Sequence, residues 1–174
     1  TVLYISRYKD IPHLRKEENI NSREFWMFIG MLVLVLGSLQ ITFTTSIPVI
    51  NKVFGSKLAP PANLIDHYNR WQVPVGIFIS LLIGAAQFLR YKDTPREQIA
   101  KQLALPFLIS CTVTAASTLV IGTFRLHYYI LLFASVFAVA ANATYLFSKL
   151  KGKFAKAGST IAHIGFGFIL MGAL

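Results

Sequence analysis

Long blocks without a charged residue are the feature that most limits what this chain can fold into. Asp, Glu, Lys and Arg are absent from five blocks, at residues 25–51, 71–89, 102–124, 126–148 and 157–174. A helix rises ~1.5 Å per residue, so ~20 apolar residues cross a hydrocarbon layer of ~30 Å. Four blocks meet that length, and the fifth approaches it where the sequence stops. We therefore predict an all-α integral membrane protein with about five transmembrane helices, at residues 25–49, 71–89, 103–124, 127–148 and 158–174.

Composition excludes a soluble globular domain. Hydrophobic residues make up 55% of the chain and charged residues 14%, against ~25% charged residues in soluble domains. Five such helices buried in a soluble protein would leave almost no polar surface. The chain begins at Thr1 without a methionine, and it ends at Leu174 without a polar flank. We therefore expect a single polytopic segment that is truncated at both ends.

The charges between the blocks predict an orientation. Thirteen basic residues fall on one predicted side: Arg7, Lys9, Arg15, Lys16, Arg23, Arg90, Lys92, Arg96, Lys101, Lys149, Lys151, Lys153 and Lys156. Four fall on the other side: Lys52, Lys57, Arg70 and Arg125. Short cytoplasmic connections are enriched in Lys and Arg, so the larger set is predicted to be cytoplasmic. Because the basic residues lie in these connections, the net charge of +10 is explained by topology and solvated loops, which can also contact anionic lipid headgroups, and it does not indicate nucleic acid.

Helix signals refine these boundaries. Asn21, with Glu24 three residues later, predicts a capping box before the first span. Pro74 is predicted to lie in the first turns of the second span, and Pro106 in the opening turns of the third, where a missing N–H costs little. Residues 64–68 are predicted to form a short interfacial helix before the second span.

Histidines are the main candidates for chemistry. The CxxC, HExxH, GxGxxG and P-loop patterns are absent from the sequence, and Cys111 is the only cysteine. His13, His67 and His127 lie in the predicted connections, where we interpret them as hydrated or interfacial residues. His163 differs because it lies inside an apolar block, without an acidic residue within helical reach. Ionisable residues at membrane depth are costly and usually face a bundle interior or a cavity.

The neighbourhood of His163 leaves two interpretations open. Gly158 and Ala162 form a small-xxx-small pair, and Gly167 lies one turn beyond His163 on the same helix face. Small residues let either a flat group or another helix backbone approach closely. A neutral imidazole can ligate haem iron or another metal. It can equally form an interhelical hydrogen bond.

Three groups of short motifs follow one another along the chain. Ser22-Arg23-Glu24 precedes a long apolar span, and Pro60-Pro61 and Tyr68-Asn69 follow ahead of Pro74. Ala162-His163-Ile164-Gly165 then opens a glycine-rich span that ends near Gly172. The order and spacing of these motifs along nearly the whole chain resemble CcmF, the haem-lyase component of bacterial cytochrome c maturation. The loop between Pro61 and Tyr68 is longer than the compact run typical of the family.

This resemblance implies a multi-pass protein of the bacterial inner membrane that binds haem and delivers or ligates it to apocytochrome c. Members hold a haem b between two transmembrane histidines, and His163 matches the second, as an axial ligand to the iron. The first is expected upstream of Thr1, as is the family's tryptophan-rich motif, because Trp26 and Trp71 are isolated here. The implied partners are other cytochrome c maturation membrane proteins and apocytochrome c. The segment is expected not to be catalytic on its own.

Two other classes of function remain open from the sequence. A secondary transporter or channel fragment would place His163 on a proton or substrate path, in a fold that favours broken helices and inverted repeats. The sequence has no visible internal repeat, and its prolines lie near the predicted span ends. A structural membrane subunit without a cofactor would use His163 only to join two helices.

Overall fold

The fold is all-α, as predicted. A computed structural model describes residues 6–7, 20–121 and 125–174, and these residues form helices and turns but no strand. From residue 20 onward the α-helices are α1 (Arg23–Phe54), α2 (Leu64–Ala85), α3 (Arg96–Ile121), α4 (Leu126–Ser148) and α5 (Gly158–Gly172). Two short 3₁₀ turns, Ala86–Phe88 and Phe154–Lys156, follow α2 and precede α5.

The lengths and surfaces of these helices are those of membrane spans. Four of them, α1 to α4, are long and apolar enough to cross a bilayer. Their large apolar side chains point outward: Met31 and Leu39 of α1 are 60% and 58% exposed, which suits contact with lipid tails. The helix α5 is apolar but has only 15 residues, about 22 Å at 1.5 Å per residue. The chain is therefore a multi-pass membrane protein, and from residue 20 onward its described part has four long helices and one shorter one.

Helix α4 is the centre of the bundle. It packs against α2, α3 and α5, whereas α1 packs against α2. Small residues dominate its buried positions, and Ala134, Ser135, Ala138 and Ala141 have no exposed surface. Small side chains let neighbouring helices approach closely within a membrane. The core of the bundle therefore forms around α4.

Two connections and the start of α1 meet at one end of the bundle. The backbone N–H of Arg23 donates to the carbonyl of Arg90 over 2.9 Å, and the Tyr91 hydroxyl donates to the Glu24 carboxylate over 3.2 Å. The start of α5 lies beside the 3₁₀ turn that ends α2, because Thr160 is hydrogen-bonded to Gln87. We call this the basic end, and the end carrying residues 55–63 and 125 the opposite end. Residues 8–19, with three of the predicted cytoplasmic basic residues (Lys9, Arg15 and Lys16) and His13, lie outside the described residues.

The structure corrects the predicted start of α1. The N-cap is Ser22 and not Asn21. The Ser22 backbone is extended, with φ −99° and ψ 147°, and its hydroxyl oxygen accepts a hydrogen bond from the Phe25 N–H over 3.1 Å. A serine hydroxyl in this position satisfies one of the backbone donors that a helix start leaves without a partner.

The helices that contain the second and third predicted spans begin before those spans, at Leu64 and Arg96. The side chain of Asn63 accepts from the Asp66 N–H over 3.2 Å and caps α2, so residues 64–68 are its first turns and not a separate helix. Pro74 and Pro106 therefore lie in the interiors of α2 and α3. Each proline removes one backbone donor from its helix. Neighbouring helices and side chains make such prolines tolerable in membrane spans.

Candidate functional site

His163 lies half-buried on α5, within hydrogen-bond distance of the end of the second span. The Nδ1 atom of its ring is 3.0 Å from Nε2 of Gln87. The other side of the same amide is also occupied, because the Thr160 hydroxyl donates to Oε1 of Gln87 over 3.1 Å. Gln87 therefore joins two side chains of α5 to the 3₁₀ turn after α2.

Local structure explains why these three side chains meet. Thr160 and His163 are three residues apart on a helix, so they share one face. Thr160 is buried, with 1% of its surface exposed. On the other side, the turn that carries Gln87 is anchored by Phe88, which is buried against Phe137 and Ala141 of α4. Helix α4 thus holds both segments in place.

Gly167 extends the buried face of α5. A Cβ atom added there would lie 2.6 Å from Cγ2 of Val139 and 3.0 Å from the carbonyl oxygen of Ser135. Small residues on this face admit either a flat group or another helix backbone. At Gly167 the group that approaches is the backbone of α4.

The opposite face of α5 is open. Added Cβ atoms at Gly158 and Gly165 would meet nothing within 4 Å, and Ala162 between them is exposed. The small-xxx-small pair of Gly158 and Ala162 therefore lies outside the packed bundle. His163 lies at the edge between this open face and the packed one.

His67 is not simply a hydrated interfacial residue. It is half-buried, and its Nε2 lies 3.0 Å from Nε2 of Gln40 and 3.3 Å from the Thr44 hydroxyl, both on α1. Gln72 completes this second polar cluster by donating to Oε1 of Gln40 over 2.8 Å. His67 therefore links α2 to α1 toward the opposite end of the bundle.

The remaining candidates do not join either cluster. His127 is exposed at the start of α4, where its ring packs on Tyr128 with centroids 4.2 Å apart. Cys111 is a free, exposed thiol on α3. Across the described ranges, His, Cys, Asp and Glu side chains do not gather in threes that would enclose a metal ion.

A separate apolar groove of about 400 Å³ lies between α1 and α2 near the basic end. Its lining residues include Trp26, Phe78, Leu82 and Leu89. His163 is not among them, so this groove is distinct from the His163 cluster.

Sequence reasoning found His163 but missed the residues around it. Gln87 and Thr160 are uncharged, so the cost of an ionisable group at membrane depth, which marked His163, does not mark them. A signal was nevertheless present, because an amide inside an uncharged block needs a hydrogen-bond partner where water is absent. Applied to Gln40, Gln72 and Gln87, that rule would have indicated both clusters.

Comparisons of the chain with models of protein families, with curated proteins and with solved structures found no match. The resemblance to CcmF thus stays a prediction.

Proposed function

We propose that this chain is part of a haem-handling protein of cytochrome c maturation in the bacterial inner membrane, and that His163 is an axial ligand to a haem b. The observation that carries the proposal is the hydrogen bonding of the two ring nitrogens of His163. Nδ1 is held by Gln87, while Nε2 has no hydrogen-bond partner among the side chains that the structure describes. A ligating histidine donates through its second ring nitrogen to an acceptor, and Gln87 would be that acceptor when its carbonyl oxygen faces Nδ1.

The residues present fit one side of a haem site. Haem iron accepts a neutral imidazole as an axial ligand, and two such ligands give a low-spin centre. His163 can supply one of them from an apolar helix. The open face beside it, at Ala162 and Gly165, leaves space for a flat group. The resemblance assigns the second ligand to a histidine upstream of Thr1.

Each residue of the cluster has a distinct part in this proposal. His163 binds the iron, and Gln87 fixes the plane of its ring. Thr160 holds the amide of Gln87 from the other side. Gly167 lets α5 lie close enough to α4 to keep the three together. The bound haem would supply a one-electron couple, and the implied partners remain apocytochrome c and other maturation proteins of the same membrane.

A second candidate function is a structural membrane subunit that uses His163 only to join helices. The hydrogen bond between His163 and Gln87 favours it, because that bond already satisfies one polar atom on each residue. The contact of Gly167 with α4 is also complete without a cofactor. These two functions differ in whether the purified protein carries haem that depends on His163.

The test uses the full-length protein purified from cells that make haem. We expect a low-spin, six-coordinate spectrum for the wild type, and a lower haem content or a five-coordinate, high-spin spectrum for His163→Ala. His163→Gly with added imidazole should recover part of the low-spin spectrum, because the cavity admits the missing ring. His67→Ala is a matched control, since it also removes a half-buried imidazole bonded to a glutamine. Full haem with an unaltered low-spin spectrum in His163→Ala would refute the ligand assignment and leave His163 as a residue that joins two helices.

A further inference from the structure

We infer that Gln87 is a positioning residue that selects the tautomer of His163, so that the orientation of one amide decides whether the ring can bind iron. This inference rests on the proposed function for its consequence at the metal. Its geometric basis is independent of any cofactor. It lies in the two contacts of the Gln87 amide, 3.0 Å to His163 and 3.1 Å to Thr160.

The amide orientation in the structure favours the tautomer that cannot bind iron through Nε2, the ring nitrogen that Gln87 does not contact. Nε2 of Gln87 carries only hydrogens, so it donates to Nδ1 of His163, which must then be the unprotonated nitrogen. In a neutral imidazole the single proton is then on Nε2 of the ring. A protonated Nε2 has no lone pair to offer a metal. The ring is therefore held in a resting form.

Rotating the amide by half a turn reverses this assignment. Oε1 of Gln87 would then face Nδ1 of His163 and accept a hydrogen bond from it, and Nε2 of Gln87 would face Thr160. The two contacts have nearly equal lengths, so both remain at hydrogen-bond distance after the exchange. The ring loses a proton from Nε2 and gains one on Nδ1, so its net charge is unchanged.

Thr160 makes both orientations possible. A hydroxyl group is a donor and an acceptor, so Thr160 can donate to Oε1 of Gln87 in one orientation and accept from Nε2 in the other. In the second orientation its own hydrogen can turn to a backbone carbonyl one turn earlier, as threonine hydroxyls in helices commonly do. A lysine or an arginine would allow only one orientation.

The amide orientation in which Oε1 of Gln87 accepts from Nδ1 of His163 would also change the affinity and the reduction potential of the iron. A ring that donates from Nδ1 to a carbonyl oxygen is a more basic ligand, and partners of this kind typically change metal affinity by roughly 10- to 100-fold when they are removed. A more basic ligand favours ferric over ferrous iron. Gln87 should therefore both strengthen haem binding and lower the reduction potential of the haem.

The first experiment needs no haem. Nitrogen NMR of the haem-free full-length protein, labelled at histidine, reports which ring nitrogen of His163 carries the proton. We expect the Nε2–H tautomer in the wild type and a mixture of both tautomers in Gln87→Leu, which removes the amide. Gln72→Leu is the control, because it deletes an amide of the same size from the other polar cluster. Equal tautomer populations in the wild type and Gln87→Leu would overturn the inference.

The second experiment measures haem binding by hemin titration and by optical redox titration. Gln87→Leu should weaken hemin binding roughly 10- to 100-fold and raise the reduction potential. Gln87→Glu should lower the potential, because a carboxylate accepts more strongly from Nδ1–H. A tenfold change in the ratio of ferric to ferrous affinity corresponds to about 59 mV for one electron. Shifts of the same sign in both variants, or none beyond that of Gln72→Leu, would contradict the inference.

A double variant separates this inference from the proposed function. If Gln87 acts only through His163, then Gln87→Leu should change neither haem content nor potential in a His163→Ala background. A wild type whose haem is unaffected by His163→Ala refutes the proposed function, and the tautomer measurement still decides the role of Gln87. Haem that depends on His163 but not on the Gln87 variants refutes the positioning role alone.

Discussion

Replacing Gly167 by alanine should weaken the packing of α5 on α4 far more than the same change at Gly165. The added methyl group at Gly167 would lie 2.6 Å from Cγ2 of Val139 and 3.0 Å from the carbonyl oxygen of Ser135. Neither neighbour can move away at low cost. The carbonyl belongs to a buried part of α4, and a β-branched side chain on a helix has essentially one favoured χ1 rotamer.

The expected loss follows from the cost of overpacking. Inserting a methyl group into a filled contact costs typically about 1–3 kcal/mol, or roughly 5- to 150-fold in an unfolding equilibrium constant at about 1.36 kcal/mol per tenfold. Glycine to alanine also favours a helix by up to about 1 kcal/mol. That gain is common to both positions. The difference between the Gly167 and Gly165 variants therefore isolates the contact with α4.

The assay is unfolding of the full-length protein in mixed micelles of increasing SDS content, followed by helix content and by haem absorbance. Gly167→Ala should unfold at a lower SDS fraction than the wild type, and Gly165→Ala at the same or a higher fraction, because an added Cβ there meets nothing within 4 Å. Haem content should fall with Gly167→Ala if α5 carries an iron ligand. Equal stability of the two variants would refute the close approach of α5 to α4.

Two further predictions concern topology and the core. Single cysteines replacing Lys153 and Asn63, in a Cys111→Ser background, should differ in labelling by an impermeant thiol reagent in intact cells, with Asn63→Cys labelled and Lys153→Cys protected; the reverse pattern would overturn the predicted orientation. Asn142 is fully buried, donates to the carbonyls of Ile83 and Ala138, and leaves its own Oδ1 without a partner. Asn142→Leu should therefore change the free energy of unfolding, measured by the same SDS titration, by less than about 1 kcal/mol. Asn142→Asp, which buries a carboxylate, should lower that free energy well beyond the Asn142→Leu value.

Transmembrane architecture was largely predictable because charged residues are absent over nearly the whole length of each span. Each uncharged block contains the apolar part of one helix, and the connections lie where the charges lie. The helix starts were not predictable by the same rule. Helices α2 and α3 begin with polar turns, at Leu64 after the Asn63 cap and at Arg96, and a search for apolar residues misses such turns. The same error placed Pro74 and Pro106 too near the helix starts.

The candidate site was only half predictable. His163 was visible because an imidazole in an apolar block is unusual and costly. Its contact with Gln87 depends on how α2 ends, and no local pattern in the sequence indicates the 3₁₀ turn at Ala86–Phe88. Which of the two proposed neighbours Gly167 would meet was also undecided, because a glycine on a helix face admits a porphyrin and a helix backbone equally well. Packing between residues far apart in sequence decided that point.

Helix α4 carries neither Gln87 nor His163, yet it determines where they lie. Gly84 of α2 approaches it so closely that an added Cβ would lie 2.8 Å from Phe137, and Phe88 is buried against the same side chain. These contacts fix the turn that carries Gln87, while Gly167 fixes α5 against the next part of α4. The distance between Gln87 and His163 is therefore set by two glycine contacts on one helix. The His163 ring keeps its contact with Gln87 only as long as α4 remains packed against both α2 and α5.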